Sequence, residues 1–206
     1  MKTFVIALRA TLVTLVLTGL LYPLAMTGLA QLLFPGPANG SVAKDESGRI
    51  VGSHLLAQGF SNPAYFQPRP SAAGNGYDPL ASGGSNFGPT SAKLQDRVKA
   101  DIARLHRENP QASEPIPAEL VTTSASGLDP HLSPAAARWQ VARVARARGV
   151  GPERVQATLE ESVVGPDLGF LGEPTVNVLD LNLALDRQFG PPAAPNPKSG
   201  PGAMAN

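Results

Sequence analysis

Cysteine is absent from all 206 residues. Disulfides, thiol catalysis and zinc–thiolate sites are therefore excluded, while the compartment stays open. Aromatic residues are scarce, at 5%, so any core must be mostly aliphatic. Charge of one sign is also missing. A net charge of +1 creates no field that would favour nucleic acid or an acidic partner. The histidines His54, His106 and His131 are scattered and show no metal-ligand spacing. His106, among charged residues, is expected to face solvent.

What is present begins with a long apolar run. Residues 10–35, "ATLVTLVLTGLLYPLAMTGLAQLLFP", carry no charge. A stretch of about 25 such residues can cross a bilayer as a helix. Pro23 falls inside it, and a membrane helix tolerates proline where neighbouring groups satisfy the freed carbonyl. The rival reading is a cleaved signal ending at "GLA", but cleaved signals have an apolar core of about 7–15 residues. The expectation is a retained span over 10–34, after a short cytoplasmic segment 1–9. Lys2 and Arg9 favour that orientation, although Lys44 and Arg49 reduce the contrast. Ala10, Thr14, Thr18 and Tyr22 recur at helical spacing, a face on which a partner helix could pack closely.

The rest, 35–190, reads as a folded extracytoplasmic domain of α+β class, with a small sheet near its start and about four helices. Short strands are expected over 41–43 and 49–56, around the turn "DESG". Residues 62–89 hold too much proline and glycine for regular structure. Tyr65, Phe66, Tyr77, Leu80 and Phe87 run through that region, so it is expected to be packed, and long ordered loops tend to be functional surfaces. Apolar spacing predicts a helix over 91–109, capped by Ser91 and ended by Pro110. A second helix opens at Ser133-Pro134 and stops at Gly149. Its Arg138, Arg143, Arg146 and Arg148 are expected to form a solvated basic side. A shorter helix over 152–162 follows, then a last one from "PTVNVLDLNLALDRQF", whose opening alternates like a strand. The tail 191–206 is expected to be disordered.

Two polar strings suggest chemistry. "LVTTSASGLDPHLSP" holds Ser124, Ser126, Asp129 and His131, the residue types of a hydrolase triad. A triad draws its members from separate parts of a fold, and no G-x-S-x-G elbow is present. A structured turn explains the serines and Asp129 better. The alternative is a membrane-anchored hydrolase using Ser126, or Ser124, with His131. "ASGGSN" places Gly83, Gly84, Ser85 and Asn86 in a loop that lacks the lysine of a phosphate loop. A packed loop, held against a partner protein, is the expectation there. No catalytic, cofactor-binding or metal-ligating residue is assigned. A periplasmic scaffold unrelated to transport is a further alternative.

The strings "TGLLYPL", "ANGS", "YFQPRPSA", "YDPLASGGSN", "LVTTSASGLDPHLSPAAARWQVARVARARG" and "PTVNVLDLNLALD" occur in order over 18–186. Together they closely resemble the C subunit of the Kdp potassium-transporting P-type ATPase, the KdpC family. The resemblance implies a place in a bacterial inner-membrane complex that uses ATP, magnesium and potassium. Its other subunits are a channel-like potassium-selecting protein, a P-type ATPase phosphorylated on aspartate and a small single-span peptide. It further implies one N-terminal span, a periplasmic domain set against the channel-like subunit, and a role in assembly. The family is also described as a catalytic chaperone that raises ATP affinity in the ATPase subunit. From outside the membrane that effect would be indirect. The partner-facing candidates are Ala10, Thr14, Thr18, Tyr22, Gly83, Gly84, Ser85, Asn86, Ser124, Ser126 and Asp129.

Overall fold

The apolar run forms one long helix in the computed structural model, which describes residues 1–192. Helix α1 (Lys2–Val16) passes through a π-helical turn (Leu17–Leu21) into α2 (Tyr22–Leu33). The whole stretch has 32 residues, and its most apolar 18-residue window has a mean hydropathy of 2.2, enough by length and composition to cross a membrane. It begins at Lys2, so the segment expected to precede the span is helical as well. The π turn lies immediately before Pro23, and the Tyr22 amide reaches back to the Leu17 carbonyl. The wider turn absorbs the break that proline makes in the α-helical ladder. Sequence reasoning foresaw tolerance of Pro23 but not this device. The Thr14 hydroxyl donates to the Ala10 carbonyl at 2.7 Å, and Thr18 to that of Thr14 at 2.8 Å. Those hydroxyls are satisfied within the helix. With the π turn between Thr18 and Tyr22, the four positions do not lie on an uninterrupted α-helical face. One helical turn, α3 (Pro35–Ala38), follows, and Asn39 donates back to the Pro35 carbonyl.

The chain divides into two units, Met1–Ala43 and the residues from Lys44 onward. Strands β1 (Val42–Lys44) and β2 (Ile50–Ser53) form a two-stranded sheet, the second strand shorter than expected. Helix α4 (Ala92–Glu108) falls where the apolar spacing put it. Ser91 precedes it without a side-chain capping bond, which corrects that detail. Strand β3 (His131–Leu132) pairs antiparallel with β4 (Val176–Asn177), His131 opposite Asn177. Of this second sheet only β4 was signalled, by the strand-like alternation of "TVNV"; two residues at His131–Leu132 carry no periodicity.

Helix α5 (Pro134–Arg148) starts and stops on local chemistry. Ser133 Oγ accepts from the Ala136 amide, and Pro134 supplies a preset first turn. Gly149 takes φ 68°, with its amide on Arg146 O and that of Val150 on Ala145 O. That is a Schellman motif, which suits glycine because a Cβ is strained there. Helices α6 (Pro152–Glu161) and α7 (Val178–Phe189) complete the unit. Asn177 caps α7 by accepting from the Leu179 and Asp180 amides. The core joins Leu132, Val144, Val155, Leu159, Val176, Leu181 and Leu185 with Phe66, all essentially inaccessible. It is mostly aliphatic, as the composition required. Among its described residues the unit is thus α+β, with two small sheets and four longer helices. The expected tail lies, from residue 193 on, outside the described residues.

One correction concerns the arginines of α5. Arg138 and Arg146 are exposed, but Arg143 is 3% exposed and the Arg148 side chain 2%. Both reach the irregular segment 63–67. Arg143 donates to the Pro63 carbonyl at 2.6 Å and to that of Tyr65 at 3.1 Å. Arg148 donates to the Ala64 carbonyl at 2.8 Å and to Asp186. Asn182 of α7 pairs with both backbone groups of Phe66, and Gln140 of α5 with both of Gln67. Side-chain amides here take the place of a neighbouring strand. A buried backbone needs its polar groups paired, and this segment has no sheet partner to do it. The arginines are therefore backbone clamps rather than a solvated face.

Candidate functional site

The two polar strings meet. Backbone and side-chain bonds zip residues 81–85 to residues 123–127. The Gly83 amide donates to Ser126 O at 2.8 Å, and the Ser82 hydroxyl donates to the same carbonyl at 3.0 Å. Thr123 Oγ1 donates to Ser85 Oγ at 3.2 Å. Gly84 lies against the Ala125 backbone, where a Cβ would stand 3.0 Å from the carbonyl oxygen. Asn86 is exposed at the edge, with φ 50°. The contact is tightest at Gly127, at φ 68°. A Cβ there would lie 2.7 Å from Ala73 N and 2.8 Å from Gly83 O.

A third segment, 69–77, locks the other two. Arg69 donates to the Thr122 and Thr123 carbonyls and sits 3.5 Å from Asp129 Oδ2. Ser71 Oγ donates to Gly127 O at 2.6 Å and accepts from the Ala73 and Tyr77 amides. The Tyr77 hydroxyl returns to the Arg69 carbonyl at 2.8 Å. Burial pushes that phenol up to about 12, so it stays a donor at any physiological pH. Arg69 and Ser71 were not singled out from the sequence. Their only signal was the string "YFQPRPSA", which spacing arguments do not reach.

The candidate residues thus fall into two sets. Gly83, Gly84, Ser85, Asn86, Ser124, Ser126 and Asp129 share one loop cluster in the folded unit. Ala10, Thr14, Thr18 and Tyr22 lie on the apolar helix of the other unit. Within the cluster, Ser126 Oγ accepts from the Leu128 amide and lies 3.5 Å from Ser124 Oγ. Asp129 Oδ1 accepts from the His131 amide, while Oδ2 faces Arg69. His131 Nδ1 is 3.6 Å from Asp129 Oδ1. Among the described residues, no hydrogen bond joins His131 to either serine hydroxyl. The groups serve the loop's own geometry. His106 is exposed on α4, and His54 Nδ1 lies 2.6 Å from Asp180. Among the described residues no group of three or more acidic, histidine or cysteine side chains could hold a metal.

The folded unit also has a cavity of about 510 Å³ beside α7, lined by Arg49, Phe60, Tyr65, Leu179, Asp186 and Arg187 among others. Its charges are of both signs, and several are already paired. Arg49 meets Asp45 at 3.1 Å, and Asp186 accepts from Tyr65 and Arg148. It selects no ligand class.

Comparison with known proteins gives a consistent result. The family "K+-transporting ATPase, c chain" (KdpC) matches residues 4–187. A potassium-transporting ATPase KdpC subunit of Myxococcus xanthus is 66% identical over 205 residues, covering 100% of this chain and 96% of the relative. The proteins of the same name from Koribacter versatilis (strain Ellin345) and Caulobacter sp. (strain K31) are 52% and 56% identical, over 90% and 84% of this chain and 94% and 88% of theirs. The matched span takes in the apolar helix from Phe4 onward, the zipped loops and the folded unit as far as Arg187, and the chain belongs to the KdpC family.

Proposed function

We propose that this chain is a non-catalytic accessory subunit of an ATP-driven potassium uptake complex in a bacterial inner membrane. Membership of the KdpC family supports the assignment to the complex. The observation that carries the accessory role is the loop cluster, whose serines, Asp129 and Arg69 are bonded to one another and to backbone. A reacting centre leaves a nucleophile and base aimed at a substrate, whereas this one closes on itself. A single apolar helix supports an anchor and cannot enclose an ion path alone. In this reading the N-terminus is cytoplasmic and the folded unit periplasmic.

The partners in this reading are the channel-like potassium-binding subunit, the P-type ATPase subunit and the small single-span subunit. The loop cluster is the surface offered to the channel-like subunit. Any rise in the ATP affinity of the ATPase subunit is then an allosteric effect of stabilising one conformation of the complex. Asp129 supports the surface through Arg69 rather than contacting potassium itself.

The test is gentle detergent extraction of the tagged full-length chain from its native membrane after growth at low potassium. A P-type ATPase and a channel-like protein should come with it, together with potassium-stimulated ATP hydrolysis. Asp129→Asn should reduce that recovery. Recovery of the chain alone, while its partners are expressed and intact, refutes the assignment. So does ester or peptide hydrolysis by the chain that Ser126→Ala abolishes.

A further inference from the structure

Four exposed apolar side chains outside the long helix gather on one hairpin. After α6 the chain runs out and back between Val164 and Thr175, whose backbones pair at 2.8 and 2.9 Å. A second antiparallel pair, Asp167 with Leu171, closes the tip. Leu168 and Gly169 take φ 52° and 83° there, the pattern of a type I′ turn, and the Phe170 amide bonds Asp167 O. Glycine accepts that conformation freely. Leucine does so at a cost of about 1–2 kcal/mol. The turn nevertheless holds Leu168 out in solvent, 83% exposed, beside Phe170 at 74%, Val164 at 61% and Leu171 at 51%. Single exposed apolar residues are ordinary, but four on one hairpin form a patch that marks an interaction site. The base is fixed, since Val163 packs against the core and Val176 is buried in it.

Charge narrows the occupant. The hairpin carries Asp167 and Glu173, and no lysine or arginine occurs between Arg154 and Arg187. An apolar tip with an acidic rim is repelled by an anionic lipid surface. A symmetric contact with a second copy would set like charges together. What it complements is an apolar cleft edged by lysine or arginine on a different protein.

We infer that the hairpin 164–175 is a docking finger, inserting Leu168 and Phe170 into an apolar, basic-rimmed cleft on another subunit of the membrane complex. The inference rests on the assignment to that complex but concerns a surface separate from the loop cluster. Buried aromatic anchors of this kind carry a large share of interface energy, and the acidic rim adds register.

The experiment places a photo-cross-linking phenylalanine analogue at Phe170 of the full-length chain, co-expressed with its complex partners. A control chain carries it at Arg107, exposed on α4. After purification and irradiation, mass spectrometry identifies the adducts. The Phe170 probe should join a different subunit of the complex, at a peptide containing lysine or arginine, in yield well above the control. Adducts only with lipid or detergent, only with a second copy of this chain, or no more than at Arg107 would overturn the inference. In parallel, Leu168→Ser with Phe170→Ser should lower recovery of the other subunits by about tenfold or more. Unchanged Trp139 emission would show that the fold is intact, and unchanged recovery also overturns the inference. If the unmodified chain brings down the pump subunits while the hairpin fails both tests, the docking finger alone falls. If the unmodified chain brings down none, the assignment falls and the finger with it.

Discussion

Replacing Arg143 by methionine isolates what the clamp on segment 63–67 contributes. Methionine fills much of the same volume, so the change is chiefly loss of the guanidinium. Three acceptors lose a donor: Pro63 O, Tyr65 O and Gln140 Oε1. They are not equal. Pro63 is exposed and its carbonyl regains water. Gln140 Oε1 keeps the Gln67 amide. Tyr65 O is only half-accessible, and losing a charge-assisted bond to such a carbonyl costs about 1.5–3 kcal/mol. Against this stands the relief of a buried charge, since burial pushes the Arg143 guanidinium down to about 10. The net expectation is a loss of about 1–2 kcal/mol, a sizeable part of a typical domain's stability. With a urea slope of about 2 kcal/mol per molar, the unfolding midpoint falls by about 0.5–1 M. Trp139 is the only tryptophan and lies buried one turn away on α5, so its emission reports the transition directly. Arg138→Met is the control: it sits on the same helix, exposed, with only Glu160 as partner, and should barely move the midpoint. Equal shifts for the two variants would refute the clamp.

Three other perturbations follow from the same geometry. Gly127→Ala should destabilise by more than 2 kcal/mol in urea unfolding and lower recovery of partner subunits, because strain at φ 68° adds to a backbone clash; Gly172→Ala, at φ 87° with open space around it, should cost about 1 kcal/mol. Asn177→Ala removes the α7 cap and a bond to His54 O, and a midpoint shift below about 1 kcal/mol would deny the cap its role. Tyr65 is held up to about 12 from 10.0 by burial and by Asp186, so the folded state keeps a proton that the unfolded chain loses. That stability is complete below pH 10 and disappears as pH rises toward 12. Tyr65→Phe should flatten that fall in a series of urea melts across the alkaline range.

Local signals were legible and long-range ones were not. Ser133-Pro134 and Gly149 bracket α5 because capping chemistry is a property of neighbouring residues. The apolar spacing of Leu94, Val98, Ile102 and Leu105 likewise placed α4, although Ile102 is left exposed. The arginines of α5 show the limit. Arg138 and Arg146 point to solvent as a charged helix face should, but Arg143 and Arg148 turn inward to carbonyls some 80 residues earlier. Nothing in their spacing announces that segment. The site divides in the same way. Each polar string read correctly as an ordered loop, while their union depends on Arg69 and Ser71, whose partners lie more than fifty residues away. The apolar hairpin tip has no periodicity, and its exposure emerges only from the fold.

The clamp also sets an order in time. Residues 63–67 meet their partners across separations of 73 to 116 residues, in helices near the end of the folded unit. Such distant closures slow folding, because the loop entropy is lost before the contacts form. As the chain emerges, "PAYFQ" lacks part of its set of partners until α7 follows α5. A chain that stopped before Val178 would leave Phe66 and its backbone in water. The last helix therefore acts as a completion signal, and the domain has no folded state to offer a partner until nearly all of it has been made.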